Sequence, residues 1–160
     1  MELNQTLQQS ITALKEGKLQ EAESLCREII LKYPTNPIAN HNLGATLYAC
    51  GKLKEAEESF KKSIILKPDY LLAYKNLGIT LYALTKFKEA EKTFKKLIEF
   101  KPDYTEAYYK LGITLYALSK FKEAEKSFRK TISLKSNYVM AHNNLGITLH
   151  KLNKLEEAEA

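Results

Sequence analysis

Three histidines, two cysteines and a recurrent set of glutamates are the residues of this 160-residue chain suited to metal binding or acid–base catalysis. Their spacing argues against both. His41, His142 and His150 fall in two distant segments, with no cysteine or carboxylate at ligand spacing, so no metal site is expected. Glu89 and Glu91 recur as Glu123 and Glu125 in a repeated helical pattern, and repeated surface charge is rarely an active site. There is no nucleophile motif and no phosphate loop. The expectation is therefore that the chain is not an enzyme and needs no cofactor. Amide chemistry remains. Asn42, Asn76 and Asn144 each offer a donor and an acceptor. Such a side chain can satisfy both groups of an extended peptide's backbone unit, at about 1 kcal/mol net per contact.

The elements that position these amides are written in a repeat. Gly44, Gly78, Gly112 and Gly146 lie 34 residues apart, each inside Leu-Gly-x-Thr-Leu. A mid-helix glycine costs about 1 kcal/mol against alanine, so its recurrence needs a structural reason. With the glycine at the eighth place, the repeats are 3–36, 37–70, 71–104 and 105–138, with a partial fifth at 139–160. Repeats 71–104 and 105–138 share 22 of 34 residues, which points to recent duplication. The first repeat diverges most, with Ser10 in place of glycine. A period of 34 is one helix–turn–helix unit of a solenoid, whose terminal repeats are expected to be atypical.

Each repeat reads as two helices. In the third, Tyr74, Leu77, Gly78 and Leu81 form one helical stripe and Ala90, Phe94, Leu97 and Ile98 another. Breaks between the helices are expected at Gly17, Gly51, Thr85, Ser119 and Asn153. Glycine and asparagine tolerate the left-handed conformation that ends a helix, whereas Thr85 and Ser119 predict a different turn. Pro34, Pro68 and Pro102 stop the second helices, and Ser136 predicts a softer stop. Gly78 is expected to meet Ala90 at a close helix crossing, and Ala39, Ala73, Ala107 and Ala141 to pack on the preceding repeat.

Small-Leu-Gly, Leu-Tyr, Lys-x-x-Glu-Ala-Glu-x-x-Phe and Lys-Pro-Asp-Tyr together resemble the tetratricopeptide repeat family over nearly the whole chain. Asn40 and His142 depart from the large aromatic that Tyr74 and Tyr108 supply at the fourth place, and His142 is expected to pack in the core. The resemblance implies an all-α, right-handed superhelical solenoid of antiparallel helix pairs. Its first helices line a concave groove and its second helices form the back. On this reading residues 1–160 are a single domain.

Helical geometry puts places 2, 5, 6, 9, 12 and 13 of each first helix on the arc facing away from the second helix. That arc holds Ile79, Ile113 and Ile147, and Tyr48, Tyr82 and Tyr116, with Lys75, Tyr109 and Lys110 beside the asparagines. Exposed apolar stripes mark binding surfaces, although curvature of the stack would also bury these residues. His41 and His150 share the face and are expected to be able to contact a partner. The asparagine ladder resembles the groove of the tetratricopeptide arms of O-linked N-acetylglucosamine transferases, which holds peptide in extended form. Lys110 interrupts it, and asparagines bonding within their own repeats would give the same spacing. The family's carboxylate clamp for acidic chaperone tails fits poorly. Ala45, Ile79, Ile113 and Ile147 stand where it resembles asparagine, although Lys75 and Lys110 favour an acidic segment.

The expected function is thus a protein-interaction scaffold that binds a peptide segment in its groove. Two alternatives are a substrate-recruiting arm of a larger transferase and a structural self-assembly module. The net charge of +6 comes from lysines interleaved with glutamates, as in Lys88-Glu89-Ala90-Glu91-Lys92, which reads as a solvated face and not a nucleic-acid surface. Cys26 and Cys50 sit at apolar positions and read as core residues of a reducing, cytoplasmic compartment, with no disulfide between them. No 18-residue apolar run suggests a membrane span. Leu155 and Ala158 begin a stripe that Ala160 cuts short, so a longer parent chain is expected, and self-association through the open C-terminal end.

Overall fold

The computed structural model describes residues 2–159, with side chains described for 2–154. Among these residues there are nine α-helices and no strand. They are α1 (Glu2–Lys15), α2 (Leu19–Lys32), α3 (Pro37–Ala49), α4 (Leu53–Leu66), α5 (Leu71–Ala83), α6 (Phe87–Phe100), α7 (Thr105–Ala117), α8 (Phe121–Leu134) and α9 (Val139–Glu159). The helices fall into two compact units, Met1–Leu84 and Thr85–Ala160. Within the first, α1 to α5 pack each on the next, and α3 also touches α1 and α5. Within the second, α6 to α9 do the same, and α7 touches α9.

Gly17 and Gly51 turn the chain with φ of 74° and 75°. Thr85 and Ser119 adopt the same left-handed conformation, both at φ 59°, contrary to the different turn their side chains suggest. The fold imposes it on Ser119 by the bonds used at the glycines. Lys120 N–H donates to Leu115 C=O at 2.9 Å, as Lys52 donates to Leu47 and Lys18 to Ala13. These bonds satisfy carbonyls that the helix end would leave orphaned. α8 likewise ends at the same place as its proline-stopped equivalents. Tyr138 N–H bonds Lys135 C=O at 3.2 Å, matching Tyr104 to Lys101 at 3.1 Å.

The recurrent glycine admits an aromatic ring. A Cβ on Gly44 would lie 2.8 Å from the Phe60 ring, and one on Gly112 would lie 2.6 Å from that of Phe128. At Gly44 and Gly112 the atoms nearest the glycine are thus those of the second-helix phenylalanine. The ring occupies the space that the missing Cβ leaves open. Ser10 and Cys26 hold these two places in the first repeat, and both are buried. Burial pushes the Cys26 thiol up, against hydrogen bonds with Ser10 and Thr46. A smaller second-helix residue thus accompanies a larger first-helix one. Cys26 is a core residue as expected, whereas Cys50 is half-buried, and both are free thiols. Ala39, Ala73, Ala107 and Ala141 are all buried.

The lysine–glutamate pattern is more than a solvated face. Glu23 takes Arg27 at 2.7 Å from its own helix and Lys52 at 3.1 Å from the next repeat. Glu91 repeats this with Lys95 at 2.6 Å and Lys120 at 2.9 Å. Burial would raise the Glu91 pKa, but hydrogen bonds from the two lysines outweigh it and hold the carboxyl below its ordinary value. Each such glutamate joins successive second helices.

α9 departs from the repeat. It runs unbroken through Asn153, where a turn was expected. The apolar side chains expected at Leu155 and Ala158 lie outside the described side chains.

Candidate functional site

The first helices carry the candidate residues, and a buried threonine fixes each helix from within. Thr46, Thr80, Thr114 and Thr148 donate to the carbonyls of Asn42, Asn76, Lys110 and Asn144 at 2.6–2.9 Å. The sixth-place backbone is thereby satisfied, which leaves its side chain for other partners.

In the first compact unit the asparagines join a polar chain that crosses three helices. Asn76 Nδ2 donates to His41 Nε2 at 3.0 Å. His41 Nδ1 faces Asn42 Oδ1 at 3.3 Å, and Asn42 Nδ2 donates to Ser10 Oγ at 3.3 Å. An amide N–H donating to Nε2 requires the tautomer with its proton on Nδ1. Ser10 Oγ then donates to Leu7 C=O at 2.7 Å, which closes the chain. His41 is 9% exposed, between the Phe60 and Tyr70 rings at 5.7 and 5.1 Å. Burial lowers its pKa, Asn42 partly opposes this, and the Lys75 charge lowers it further. The partner-contact role expected of His41 meets a ring inside the packing. Asn42 is buried too, at 6% exposed. The open part of this face comprises Tyr48, which is exposed, with Lys75, Asn76, Ile79 and Tyr82 half-buried. Ile38 and Leu72, both exposed, extend it at the second place.

In the second unit Tyr109 takes the role of His41. Its hydroxyl accepts from Asn144 Nδ2 at 3.1 Å, and its ring packs on Phe128 and Tyr138 at 6.1 and 5.0 Å. Tyr109 is buried at 5% exposed, while Lys110 lies 5.8 Å over its ring. Tyr116 packs edge-on against Phe121 at 5.1 Å. Ile113 and Asn144 are half-buried, and Ile147 is 54% exposed. His150 is exposed. His142 is exposed as well, its Nε2 2.7 Å from the Ser136 carbonyl, so it does not fill the core place of the family aromatic. No second helix packs over that end of α9 among the described residues to enclose it.

Two regularities escaped the sequence reading. The fifth-place side chain of one repeat receives the sixth-place amide of the next, 35 residues on, as in His41–Asn76 and Tyr109–Asn144. The glutamate–lysine stitch spans 29 residues. Both spacings are the repeat length plus or minus a few residues, a signal available once the register is set. Among the described residues, no protein donor reaches Oδ1 of Asn76 or Asn144, and no cluster of three or more His, Cys, Asp or Glu could hold a metal ion. No helix is long and apolar enough to cross a membrane among those residues.

Tetratricopeptide repeat models match residues 35–103, 75–138 and 109–160. They describe the repeat and indicate no catalytic family. No curated protein matches the chain. Among solved structures, the crystal structure of MamA is 25% identical over 93% of this chain and 87% of its own, with a TM-score of 0.86. The first repeat domain of Spaghetti (RPAP3), bound to the HSP90 peptide SRMEEVD, is 26% identical over 73% of this chain and 93% of its own, at 0.71. YrrB, described as having an unusual peptide-binding site, shares the fold at 19% identity and 0.82, covering 92% of this chain and 76% of its own. The repeat spacing, the glycine–phenylalanine packing and the model matches agree: this chain belongs to the tetratricopeptide repeat family, with its all-α solenoid fold.

Proposed function

We propose that this protein is a non-catalytic interaction scaffold that captures an extended peptide of a partner protein on its first-helix faces. The observation that carries the reading is the state of Asn76 and Asn144. Each amide is anchored through Nδ2 to the preceding repeat, while its Oδ1 has no protein donor among the described residues. An anchored amide presents its carbonyl and its second N–H in a fixed direction, which suits the N–H and C=O of a peptide unit and lowers the entropy cost of binding. Ile79 and Tyr82 in one unit, and Ile113, Tyr116 and Ile147 in the other, supply apolar surface beside them. Lys110, and Lys75 next to Asn76, favour a peptide carrying acidic residues. The neighbour bound to SRMEEVD lends this weight, since that peptide is acidic.

The test is a peptide-array screen, followed by titration of its hits against Asn76→Ala and Asn144→Ala proteins. The expected result is roughly five- to tenfold weaker binding per substitution, from about 1 kcal/mol for each net contact, with helicity unchanged. Array binding indifferent to both substitutions would reject this face as the peptide site.

A further inference from the structure

The second helices of the second unit carry lysine in rows. Lys88, Lys92 and Lys96 stand at places 18, 22 and 26 of the repeat on α6, and Lys122, Lys126 and Lys130 hold the same places on α8. Residues four apart share a helix face, so each trio is one row. All six side chains are exposed. The two helices are neighbours, since Lys120 reaches Glu91 at 2.9 Å and Lys95 lies 3.9 Å from Glu123. The same three places are exposed on α2 and α4 as well, so this exposure is a property of the repeat.

The first unit fills those places differently. α2 has Gln20, Ser24 and Glu28, and α4 has Lys54, Glu58 and Lys62. The alternating signs on α4 are what helix stability favours, because like charges four apart destabilise a helix. The rows on α6 and α8 forgo that gain. Among the described residues, Lys88, Lys92, Lys122 and Lys126 have no ion pair. Lys96 pairs with Glu99 at 2.7 Å, and Lys130 lies 6.0 Å over the Tyr108 ring. Arg129, beside the α8 row, is held by Glu125 at 2.7 Å. An excess of cations remains, and its repulsion is relieved by anions supplied from outside the fold.

We infer that the outer face of α6 and α8 binds an acidic, extended segment of a partner protein, at a site separate from the first-helix amides. Four residues of helix rise about 6 Å, and two residues of an extended chain rise about 6.7 Å. A segment with aspartate or glutamate at every second position thus sets one carboxylate against each lysine of a row. The rows hold no aromatic side chain on which nucleic-acid bases would stack, and no apolar side chain to enter a bilayer. An acidic chain matches the charge pattern and needs neither.

The probe is a fluorescein-labelled peptide of alternating glutamate and threonine, titrated by anisotropy with the 160-residue protein at low salt. Saturable binding that weakens as salt rises is expected. Protein carrying Lys92→Glu and Lys126→Glu is expected to bind at least tenfold more weakly. Protein carrying Lys54→Glu and Lys62→Glu has the same net charge and is expected to bind within about twofold of the parent. All four side chains are exposed, so helicity is expected to be unchanged in both. Equal weakening by the two pairs would mean that binding follows net charge, and would overturn the proposal. The Asn76→Ala and Asn144→Ala proteins are expected to bind this probe as the parent does. Binding lost in them and kept in the lysine variants would put the acidic segment on the first-helix faces, which overturns this site and leaves the groove reading standing. Tighter binding of an oligothymidine strand, or of phosphatidylserine vesicles, abolished by Lys92→Glu with Lys126→Glu, would replace the peptide with nucleic acid or a membrane. Absence of saturation at millimolar protein would overturn the proposal outright.

Discussion

A buried histidine whose ring must stay neutral makes a fold sensitive to mild acid. His41 accepts from Asn76 on one nitrogen and faces the Asn42 oxygen with the other. Protonation would put two N–H groups facing each other at Asn76 and would charge a ring set between Phe60 and Tyr70. Its pKa is accordingly depressed from the ordinary 6.5 by burial, with Lys75 adding to the effect. The unfolded chain takes up this proton near 6.5 and the folded chain only at lower pH. Stability is therefore complete above 6.5 and declines as the pH falls from there toward the folded-state value. The urea midpoint should drop between pH 7.5 and 5.5, and a His41→Gln protein should show a flatter profile. Glu23 and Glu91, held below 4.5, lose their contribution only in stronger acid. A profile unchanged by the substitution would mean that another group sets the decline. The sequence marks His41 and the asparagines as polar residues on one arc. It does not say which of their hydrogen bonds the fold consumes, because that depends on the one-place offset between successive first helices.

Each repeat is a helix pair closed by one left-handed residue, and the chain solves that requirement in two ways. Gly17 and Gly51 adopt it freely, whereas Thr85 and Ser119 carry a Cβ at φ 59°. A non-glycine residue there costs about 1–2 kcal/mol, and threonine is the harder case because its branched Cβ crowds the carbonyl. The cost persists because the turn is over-determined: at Ser119 by the Lys120–Leu115 bond and by the helices on either side. Thr85→Gly and Ser119→Gly should each raise unfolding stability by about 1 kcal/mol, after the greater flexibility of glycine in the unfolded chain is subtracted. Chemical denaturation with an unchanged m-value would verify it, and a loss of stability would show that the side chains make contacts worth more than the strain. Helix existence, type and register were legible in the sequence because glycine, proline and apolar spacing agree. The ring that faces the recurrent glycine was not, because residue size singles out small neighbours and not a phenylalanine. The direction of helical side chains sends that ring from one turn further along, Phe60 to Gly44 and Phe128 to Gly112. Asn153 differs from the expectation as well, since α9 continues through it.

At the scale of the molecule, every helix packs on a sequence neighbour within its own unit, and first helices of adjacent repeats touch there as well. The stability of such a stack is a sum of repeat and neighbour terms, and a lesion is felt locally. The glycine period reveals that linear logic, but it does not reveal the division into units Met1–Leu84 and Thr85–Ala160, which cuts a nearly uniform repeat between α5 and α6. Phe60 gives the sharpest test, since it is fully buried and fills the Gly44 row. Phe60→Ala removes about 3–5 kcal/mol of packing. Because α4 lies against α3 and α5, amides of these helices should lose hydrogen-exchange protection most. Those of α7 and α8 should lose far less, because local openings there need not break the damaged pair. Exchange measured by mass spectrometry on peptic fragments resolves the two outcomes. An equal loss in α3–α4 and α7–α8 would mean that the repeats unfold as one cooperative body, with neighbour coupling strong enough to erase the boundary after Leu84.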